Sequence, residues 1–401
     1  MQNRNLALDN CVKCSDCNAA CPVLKVYPAF AGPKSLGPDM ERFRREGVES
    51  DSEWVDYCMG CHRCDMACPH TVNVSELISR GKAQHKKTGR VALRDYWLAR
   101  PNRIGKLSSS TSALSNTVLK LRQSRWAMSS LFHIAPHRKL ISYASDPLRA
   151  GEGAATGGRK ALFFPGCFLR YNKPAVGRQV IELLRHNGFA VEVTPDVCCG
   201  TPAAANGDAA ELMNCVRQNA AAMGPAIDAG DCIVTACTSC GYALKADYAH
   251  LPTNGALAAS ARKIAENTYD LGELLAGLLD TGELRTDFRP MAKKLAYHAP
   301  CHLKSQGIGR PWLRLLRAVP GIEIEEMKTD CCGMAGTYGF KNEKYQISLD
   351  IGRELFERIK EYKPDAVVTE CGSCQMQIEH GTGLKALHPA EVFYAAYPNR
   401  Y

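Results

Sequence analysis

Eight cysteines near the start of the chain stand in two runs of the form C-x2-C-x2-C-x3-C-P. Three closely spaced thiolates can hold three corners of an iron–sulfur cubane, and in two-cluster ferredoxins the fourth cysteine of each run reaches the other cluster. This spacing predicts two [4Fe–4S] clusters and a part in electron transfer. The predicted ligands are, for one cluster, Cys11, Cys14, Cys17 and Cys68, and for the other, Cys21, Cys58, Cys61 and Cys64.

Zinc and disulfide bonds are the alternative uses of so many thiols. Structural zinc sites use pairs of C-x2-C rather than a triple followed by x3-C-P. A disulfide scaffold is typical of secreted proteins, and residues 1–6 contain no apolar segment of the kind found in a secretion signal. We therefore expect iron and free thiols. No apolar run reaches the roughly 20 residues that a membrane span needs.

Ten further cysteines form two equal sets of five, each with a Cys-Cys-Gly segment and a later C-x2-C. Corresponding cysteines are 133 or 134 residues apart, and the sequence around them repeats as well. Agreement over so long a span indicates an internal duplication. The first set is Cys167, Cys198, Cys199, Cys237 and Cys240, and the second is Cys301, Cys331, Cys332, Cys371 and Cys374.

The chemistry of these ten cysteines stays open at the level of sequence. Five thiolates exceed the four that zinc or an ordinary cubane needs, which favours an unusual iron–sulfur cluster, a cubane with a spare thiol or a redox-active pair over a structural role. Cys215 and Cys232 lie outside the pattern, and we expect them to be buried apolar residues. His62, His298 and His302 could tune a cluster by hydrogen bonding, but we expect each to be solvated or held by structural hydrogen bonds.

Each set of five lies on alternating strand and helix patterns. In the first copy, short apolar runs end at Phe164, Val193 and Ala236 with helical patterns between them, and the second copy has the same order. This predicts a βαβαβ unit with mainly parallel pairing in each copy. Because every cysteine follows a predicted strand, at the edge where open α/β sheets gather ligand sites, we expect the five of each copy to converge.

Length and composition predict several domains. The chain has 401 residues, which is too long for one ordinary core. Its composition, with 45% apolar and 23% charged residues, is normal for a soluble globular protein. We predict an α+β multidomain fold. Its parts are a helical-type two-cluster ferredoxin domain at 1–95, a basic connector at 96–158, a first Cys-Cys-Gly repeat at 159–290 and a second at 291–401.

Positive charge is concentrated in the connector. The net charge of the chain is +9, and residues 100–150 contain nine Lys or Arg and one acid, a balance of +8. We expect this segment to face an anionic membrane surface or an acidic partner, since no nucleic-acid-binding module is visible. Docking of the segment on a partner subunit or on the repeat domain is the alternative to a membrane helix. We predict one helix there. Its apolar face, interrupted by Arg125, would contain Leu114, Val118, Leu121, Met128 and Phe132.

Several stretches resemble known iron–sulfur proteins. The duplicated Cys-Cys-Gly text is similar to the cysteine-rich domain in the B subunit of heterodisulfide reductase, and the paired runs ahead of it resemble the iron–sulfur subunit of glycolate oxidase. More specific sequence lies at Cys21-Pro22-Val23, Gly32-Pro33-Lys34, Leu36-Gly37-Pro38-Asp39 and residues 331–340. In these stretches the chain resembles the family of the C subunit of anaerobic glycerol-3-phosphate dehydrogenase, an iron–sulfur protein.

The resemblance implies a function. In that family an FAD-containing dehydrogenase oxidises sn-glycerol 3-phosphate to dihydroxyacetone phosphate, and the iron–sulfur subunit passes electrons towards membrane quinone in anaerobic respiration. The iron–sulfur subunit also helps to hold the complex on the inner membrane, which implies a peripheral place at its cytoplasmic face and no substrate chemistry of its own. Heterodisulfide reductase relatives bind noncubane clusters in their repeats, so the same is expected here.

Three other functions remain open. One is an iron–sulfur subunit of a glycolate or lactate oxidase, which would change the electron donor. Another is an enzyme that reduces a disulfide at its own Cys-Cys-Gly clusters. The third is a zinc-stapled scaffold without redox chemistry.

Overall fold

The amino-terminal part of the chain is helical around a small apolar core. The computed structural model describes residues 7–48, 51–88, 92–153, 157–251 and 255–398. Val74, Leu77 and Ile78 share one face of a helix and are buried, as their spacing predicts. The helices of this part are Leu8–Asn10, Asp16–Ala19, Pro22–Val26, Gly32–Lys34, Ser35–Asp39, Met40–Arg45, Glu53–Tyr57, Arg63–Met66 and Val74–Thr88.

The connector is a string of helices, so our prediction of a single helix is wrong. The chain is extended at Leu121, with φ −68° and ψ 132°. Nearby hydroxyls of Thr117 and Ser124 donate to backbone carbonyls, a local bonding that competes with a continuous helix. The predicted apolar stripe from 114 to 132 is therefore not one helical face. The helices are Leu93–Leu98, Pro101–Ser110, Ser112–Lys120 and Arg122–Phe132.

The first repeat is built on a four-stranded parallel sheet in the order β2-β1-β3-β4. Its strands are β1 Arg159–Phe164, β2 Phe189–Val193, β3 Cys232–Thr235 and β4 Thr268–Asp270. The predicted βαβαβ unit is confirmed, and β4 adds a strand that we did not predict. The helices are Gly166–Tyr171, Pro174–His186, Thr201–Ala205, Ala209–Asp228, Thr238–Tyr242, Ala243–Asp247, Tyr248–His250, Gly255–Glu266 and Leu271–Thr281.

The second repeat has the same sheet, with all pairs parallel and the order β6-β5-β7-β8. Its strands are β5 Lys293–Tyr297, β6 Ile322–Glu326, β7 Ala366–Val368 and β8 Ala386–Leu387. The equal strand order confirms the α+β fold with a duplicated α/β part. The helices are Cys301–Gln306, Pro311–Arg317, Tyr338–Phe340, Asn342–Tyr362, Gly372–Thr382 and Pro389–Ala396.

The two repeats share one apolar core. The last helix of the first repeat, Leu271–Thr281, packs against Pro311–Arg317 of the second, and Pro389–Ala396 of the second packs against Pro174–His186 of the first. The approach is close, since a Cβ placed on Gly272 would lie 2.6 Å from the ring of Trp312. Each repeat thus completes the core of the other.

Part of the charge of the connector is used in contacts with the repeats. Arg100 pairs with Asp208 at 2.8 Å and Glu211 at 3.2 Å in the first repeat. Arg138 is buried in the second repeat, where its Nε donates to the carbonyl of Gly339 at 2.9 Å. These two arginines therefore do not contribute to a surface patch. Among the residues that the structure describes, no helix has the length and apolarity to cross a bilayer.

Candidate metal-binding sites

The structure brings the fourth cysteine of each ferredoxin run next to the other run. Four thiols around each of two small cavities match the four iron corners of a cubane. The exchange of Cys21 and Cys68 between runs is the arrangement that the sequence predicts for a two-cluster ferredoxin. The thiols at the first cavity belong to Cys11, Cys14, Cys17 and Cys68, and those at the second to Cys21, Cys58, Cys61 and Cys64.

Left-handed residues bend both runs at matching positions. In the first run Lys13 and Ser15 have φ of 61° and 74°, and in the second Gly60 and His62 have φ of 63° and 59°. Each one stands between two cysteines, so the chain curls around the cavity rather than extending past it. A residue with a Cβ costs about 1–2 kcal/mol in this conformation. Such strain is typical of a segment shaped for a ligand.

Burial differs between the two ferredoxin cavities and affects the thiols. Cys14 is exposed, whereas Cys17, Cys21 and Cys64 are buried. Burial raises the pKa of Cys17 to about 11 and that of Cys21 to about 11. Burial also raises the pKa of Cys64. Near neutral pH these groups are protonated thiols, so a metal that binds them as thiolates displaces protons.

The five cysteines of the first repeat meet beyond the carboxyl ends of its strands. Cys167 follows β1, and Cys237 and Cys240 follow β3. The thiol of Cys199, in the loop after β2, is hydrogen-bonded to those of Cys198 and Cys240, which lowers the pKa of Cys199. The convergence that we predicted from strand order is present in the described residues.

Buried polar groups hold the Cys-Cys-Gly loop of the first repeat in place. The amide of Asn219 donates to the carbonyl of Cys198 at 2.7 Å, and the hydroxyl of Tyr248 donates to the carbonyl of Cys199 at 3.1 Å. Gly166, with φ of 64°, passes so close that a Cβ would lie 2.8 Å from the sulfur of Cys240. The two hydrogen bonds therefore hold the loop in place, and Gly166 allows the close approach to Cys240.

The five cysteines of the second repeat also converge. The sulfurs of Cys332 and Cys374 are 3.3 Å apart, and the N–H of Gly333 donates to the sulfur of Cys331 at 3.3 Å. Hydrogen bonds from Cys301 and Cys332 lower the pKa of Cys331. A hydrogen bond from Cys374 lowers the pKa of Cys371 to about 6. Thiolate character in this cluster favours metal binding.

The second ferredoxin cavity lies directly against the second repeat. Arg63, next to Cys64, reaches Asp330, next to Cys331, with Nη2 2.6 Å from Oδ1 and Nη1 3.0 Å from the backbone carbonyl. Cys331 also packs in the apolar cluster of the ferredoxin domain. The two cysteine sites are therefore neighbours, although their ligands are far apart in sequence.

Two of the three histidines make the structural contacts that we expected. His302 binds the carbonyl of Gly60 at 2.9 Å and the hydroxyl of Ser239 at 3.0 Å. His62 lies 3.0 Å from Asp65 and 3.0 Å from the hydroxyl of Tyr242. Together they join the ferredoxin domain to both repeats. His298 differs, because neither of its ring nitrogens has a hydrogen-bond partner in the described part of the chain.

Sequence reasoning missed some residues at these sites. Cys215 is buried as expected, but its thiol is hydrogen-bonded to Cys198 and so adjoins the first repeat site. Cys232 is only half-buried. Arg63 and Asp330 carried a weak signal, since each stands beside a cysteine of a run or pair. The signal for Cys215 was absent, because it lies outside the repeated spacing.

Two family models match the chain at these sites. The 4Fe-4S dicluster domain matches residues 7–72, and the cysteine-rich domain matches residues 161–245 and again 295–379. Fold and site together define an iron–sulfur electron-transfer protein with one two-cluster domain and two cysteine-rich domains.

Similar proteins extend this over the whole chain. The C subunit of anaerobic glycerol-3-phosphate dehydrogenase from Escherichia coli (strain K12) is 33% identical over 390 residues, which are 96% of this chain and 97% of that protein. The B subunit of fumarate reductase (CoM/CoB) from Methanothermobacter marburgensis is 29% identical over 96% of this chain and 70% of its own. Lactate utilization protein A of Bacillus licheniformis is 29% identical over 59% of this chain and 97% of its own.

The chain belongs to the family of the C subunit of anaerobic glycerol-3-phosphate dehydrogenase. It is an iron–sulfur electron-transfer subunit of an oxidoreductase complex.

Proposed function

We propose that this chain relays electrons from a flavin-containing dehydrogenase of sn-glycerol 3-phosphate to the membrane quinone pool in anaerobic respiration. The observation that carries the proposal is the likeness to the Escherichia coli glycerol-3-phosphate dehydrogenase protein over 96% of this chain and 97% of that protein. In this proposal the partner subunits dehydrogenate the substrate, and the chain itself performs no substrate chemistry.

The cysteines are assigned as ligands in four groups. A [4Fe–4S] cluster, when bound, takes up and returns single electrons. The two ferredoxin cavities hold one such cluster each, with Cys21 and Cys68 exchanged between runs, which the lining of the cavities supports. The ten repeat cysteines hold further, noncubane clusters, which the convergence of five thiols in each repeat supports.

The contacts between sites support a direction for the relay. Cys14 is exposed at the first ferredoxin site, which leaves that end accessible to a flavoprotein partner. The second ferredoxin site is covered by the second repeat through Arg63 and Asp330. The connector is also attached to the second repeat, since Ile134 pairs with Lys341. Electrons therefore enter at the first ferredoxin site and leave near the connector.

The connector is the proposed attachment to the cytoplasmic face of the inner membrane. Its exposed basic residues include Lys106, Lys120 and Arg122. Leu114 and Leu131 are 67% and 74% exposed, so the same segment also presents apolar surface to solvent. Basic side chains next to apolar ones fit the interface of an anionic leaflet. This refines the sequence-based expectation, because Arg100 and Arg138 are buried.

Reconstitution tests the relay. The purified chain alone is expected not to oxidise sn-glycerol 3-phosphate, and addition of the flavin-containing subunits together with a quinone should start turnover. Cys61→Ser should abolish that turnover, whereas Cys232→Ser, at a half-buried cysteine outside all four sites, should leave it intact. Dehydrogenase activity in the single chain, or turnover that survives Cys61→Ser, would contradict the relay.

A second candidate is an enzyme that acts on thiols or disulfides at its own repeat cysteines. The likeness to the fumarate reductase (CoM/CoB) protein over 96% of this chain favours it. Oxidation of a small thiol by the chain alone, with an artificial electron acceptor, would support this candidate and displace the relay. Turnover with a lactate or glycolate flavoprotein instead would keep the relay and change the donor.

A further inference from the structure

His298 occupies an unusual place at the second repeat. It directly follows β5, its backbone N–H donates to the carbonyl of Val368 at 3.0 Å, and the residue is only 1% exposed. Both ring nitrogens are buried without a hydrogen-bond partner among the described residues. Leaving a buried polar group unpaired costs about 1–3 kcal/mol, so such a group needs an explanation.

The ring of His298 points to the cysteines. One of its nitrogens, the sulfur of Cys332 and the sulfur of Cys374 all lie within 4.8 Å of one another. Ligand atoms on one tetrahedral metal, at the usual bond lengths of about 2.0–2.3 Å, are about 3.5–4 Å apart. The two sulfurs are already 3.3 Å apart. A small shift of one side chain would bring all three onto a single ion.

The first repeat provides a natural comparison. The position that matches His298 by the offset of 134 residues is Phe164, which is fully buried. Phe164 packs in one apolar cluster with Cys199 and Cys240, the counterparts of Cys332 and Cys374. A phenyl ring in the first repeat and an imidazole in the second therefore stand at matching sequence positions, each near the corresponding pair of cysteines.

We propose that His298 is a nitrogen ligand of the metal group in the second repeat, which makes that group a mixed thiolate and imidazole site unlike its counterpart in the first repeat. The inference deepens the proposed function and rests on its assignment of an iron–sulfur group to the second repeat. An imidazole is a neutral ligand, so a thiolate at the same position would lower the reduction potential of the centre.

The ligand asymmetry distinguishes the two repeats. Both repeats have five cysteines, so the imidazole is an additional neutral ligand at the second repeat and does not take the place of a thiolate. The second repeat also lies next to the second ferredoxin site, through Arg63 and Asp330. The nitrogen-ligated centre is therefore the one that adjoins the second ferredoxin site at this contact.

Pulsed EPR on the full, anaerobically purified chain tests the ligand. Wild-type protein is produced in cells supplied once with natural and once with ¹⁵N-labelled histidine, and is then reduced. Its spectrum should show a strongly coupled nitrogen whose coupling changes with the label. His298→Phe, which copies the first repeat, should lose this coupling while keeping the ferredoxin signals, and Phe164→His should add a second coupled nitrogen. His298→Cys should keep the iron and lower the midpoint potential of the affected signal.

The outcomes separate the ligand from the cluster. If Cys332→Ser loses iron, iron is bound at the second repeat. If the wild type then shows no label-sensitive nitrogen, the role of His298 is overturned but the cluster is not. A coupling that persists in His298→Phe would overturn that role as well. No loss of iron in Cys332→Ser, or zinc in its place, would overturn both the inference and the cluster on which it rests. The wild-type label experiment needs no variant, so a misfolded variant does not remove the test.

Discussion

At the scale of single residues, the backbone conformations next to cysteines determine the sites. Gly333 follows the Cys331-Cys332 pair with φ of 87°, and a Cβ there would lie 2.0 Å from the carbonyl oxygen of Ser348. Gly336, three residues further on, has φ of 60° and no atom within 4 Å of the same position. The first glycine is needed for both conformation and space, and the second for conformation only.

Gly333→Ala is therefore expected to destabilise the chain more than Gly336→Ala. The left-handed conformation costs an alanine about 1–2 kcal/mol at either position, and overpacking adds about 1–3 kcal/mol at Gly333 only. Gly333→Ala should also lose iron from the second repeat, because Cys331 and Cys332 move with the loop. Thermal midpoints and iron content of both variants, measured without oxygen, check this. Equal effects of the two substitutions would contradict the steric account.

The sequence predicts the ferredoxin cysteines well because their grouping is local. Three thiols within seven residues can hardly avoid one another, and Pro22 follows the fourth at the start of a helix. The lack of hydrogen-bond partners for the His298 ring could not be predicted, since it depends on how distant parts of the chain pack around that ring. The contact of Arg63 with Asp330 joins residues 267 apart and has no local signature.

At the scale of elements, the longer apolar runs predict the strands that precede the site cysteines, whereas the shortest strands leave no pattern in the sequence. Strands β1, β2 and β3 lie within one or two residues of their predicted positions. Strands β4 and β8 have three and two residues, too few for a pattern. The connector was mispredicted because hydroxyl-to-backbone bonds around Leu121 override its helical periodicity.

The exposed face of the connector gives a prediction about membranes. Lys106, Lys120 and Arg122 changed together to Gln should weaken binding to anionic vesicles, because each basic residue near such a surface contributes about 1 kcal/mol. The loss should approach about 100-fold at low salt and shrink at high salt, where charges are screened. Co-sedimentation with vesicles of rising anionic lipid content measures it.

A charge-matched control separates site from net charge. Lys293, Lys328 and Lys360 are exposed on the second repeat, and changing them to Gln removes the same charge. This control should bind vesicles like the wild type. If both triple variants lose binding equally, or the wild type ignores lipid charge, the connector is not the membrane-binding surface.

Asp95 ties the connector to the rest of the chain. It is 2% exposed and pairs with Lys341 at 2.9 Å, Arg94 at 3.1 Å and Lys86 at 3.4 Å. Burial alone would raise the pKa of Asp95, but these cations outweigh it and hold the pKa well below its usual value. The ion cluster thus depends on an ionised carboxylate.

Asp95→Ala is expected to cost about 3–5 kcal/mol, because it leaves Lys341 buried without its counter-ion. Asp146→Ala, which removes an exposed partner of Arg149 and Arg178, should cost about 0–1 kcal/mol. Since folding lowers the pKa of Asp95, its contribution is complete above the unfolded value of about 3.9 and is lost as pH falls through the folded value. Unfolding followed as a function of pH should show the wild type and Asp95→Ala converge in acid.

At the scale of the whole molecule, the ferredoxin domain and the second repeat form one unit. Lys25 and Arg63 both pair with Asp330, at 2.5 Å and 2.6 Å, and Lys344 donates to the carbonyl of Asp56 at 2.5 Å. These contacts hold two cysteine sites next to each other. The exchange of helix contacts between the repeats then fixes the first repeat to the second.

Arg63→Ala should loosen this contact more than Asp330→Ala does. Arg63→Ala removes both bonds of the guanidinium to Asp330. Asp330→Ala removes the carboxylate and its exposed pair with Lys25 but keeps the bond from Arg63 to the backbone carbonyl, so a loss of about 1–2 kcal/mol is expected for Asp330→Ala. Faster hydrogen exchange in residues 58–66 and 331–340 would report the loosening. Asp9→Ala, which breaks an exposed pair with Arg45 inside the ferredoxin domain, should leave both segments unchanged.

The central claim, two [4Fe–4S] clusters with exchanged fourth ligands, is tested most directly by iron and sulfide analysis with low-temperature EPR. The anaerobically purified wild type should contain two reducible ferredoxin clusters. Cys14→Ser and Cys68→Ser should remove the same signal, and Cys61→Ser and Cys21→Ser should remove the other. Stoichiometric zinc without reducible iron, or a Cys68→Ser variant that matches Cys61→Ser instead, would contradict the account.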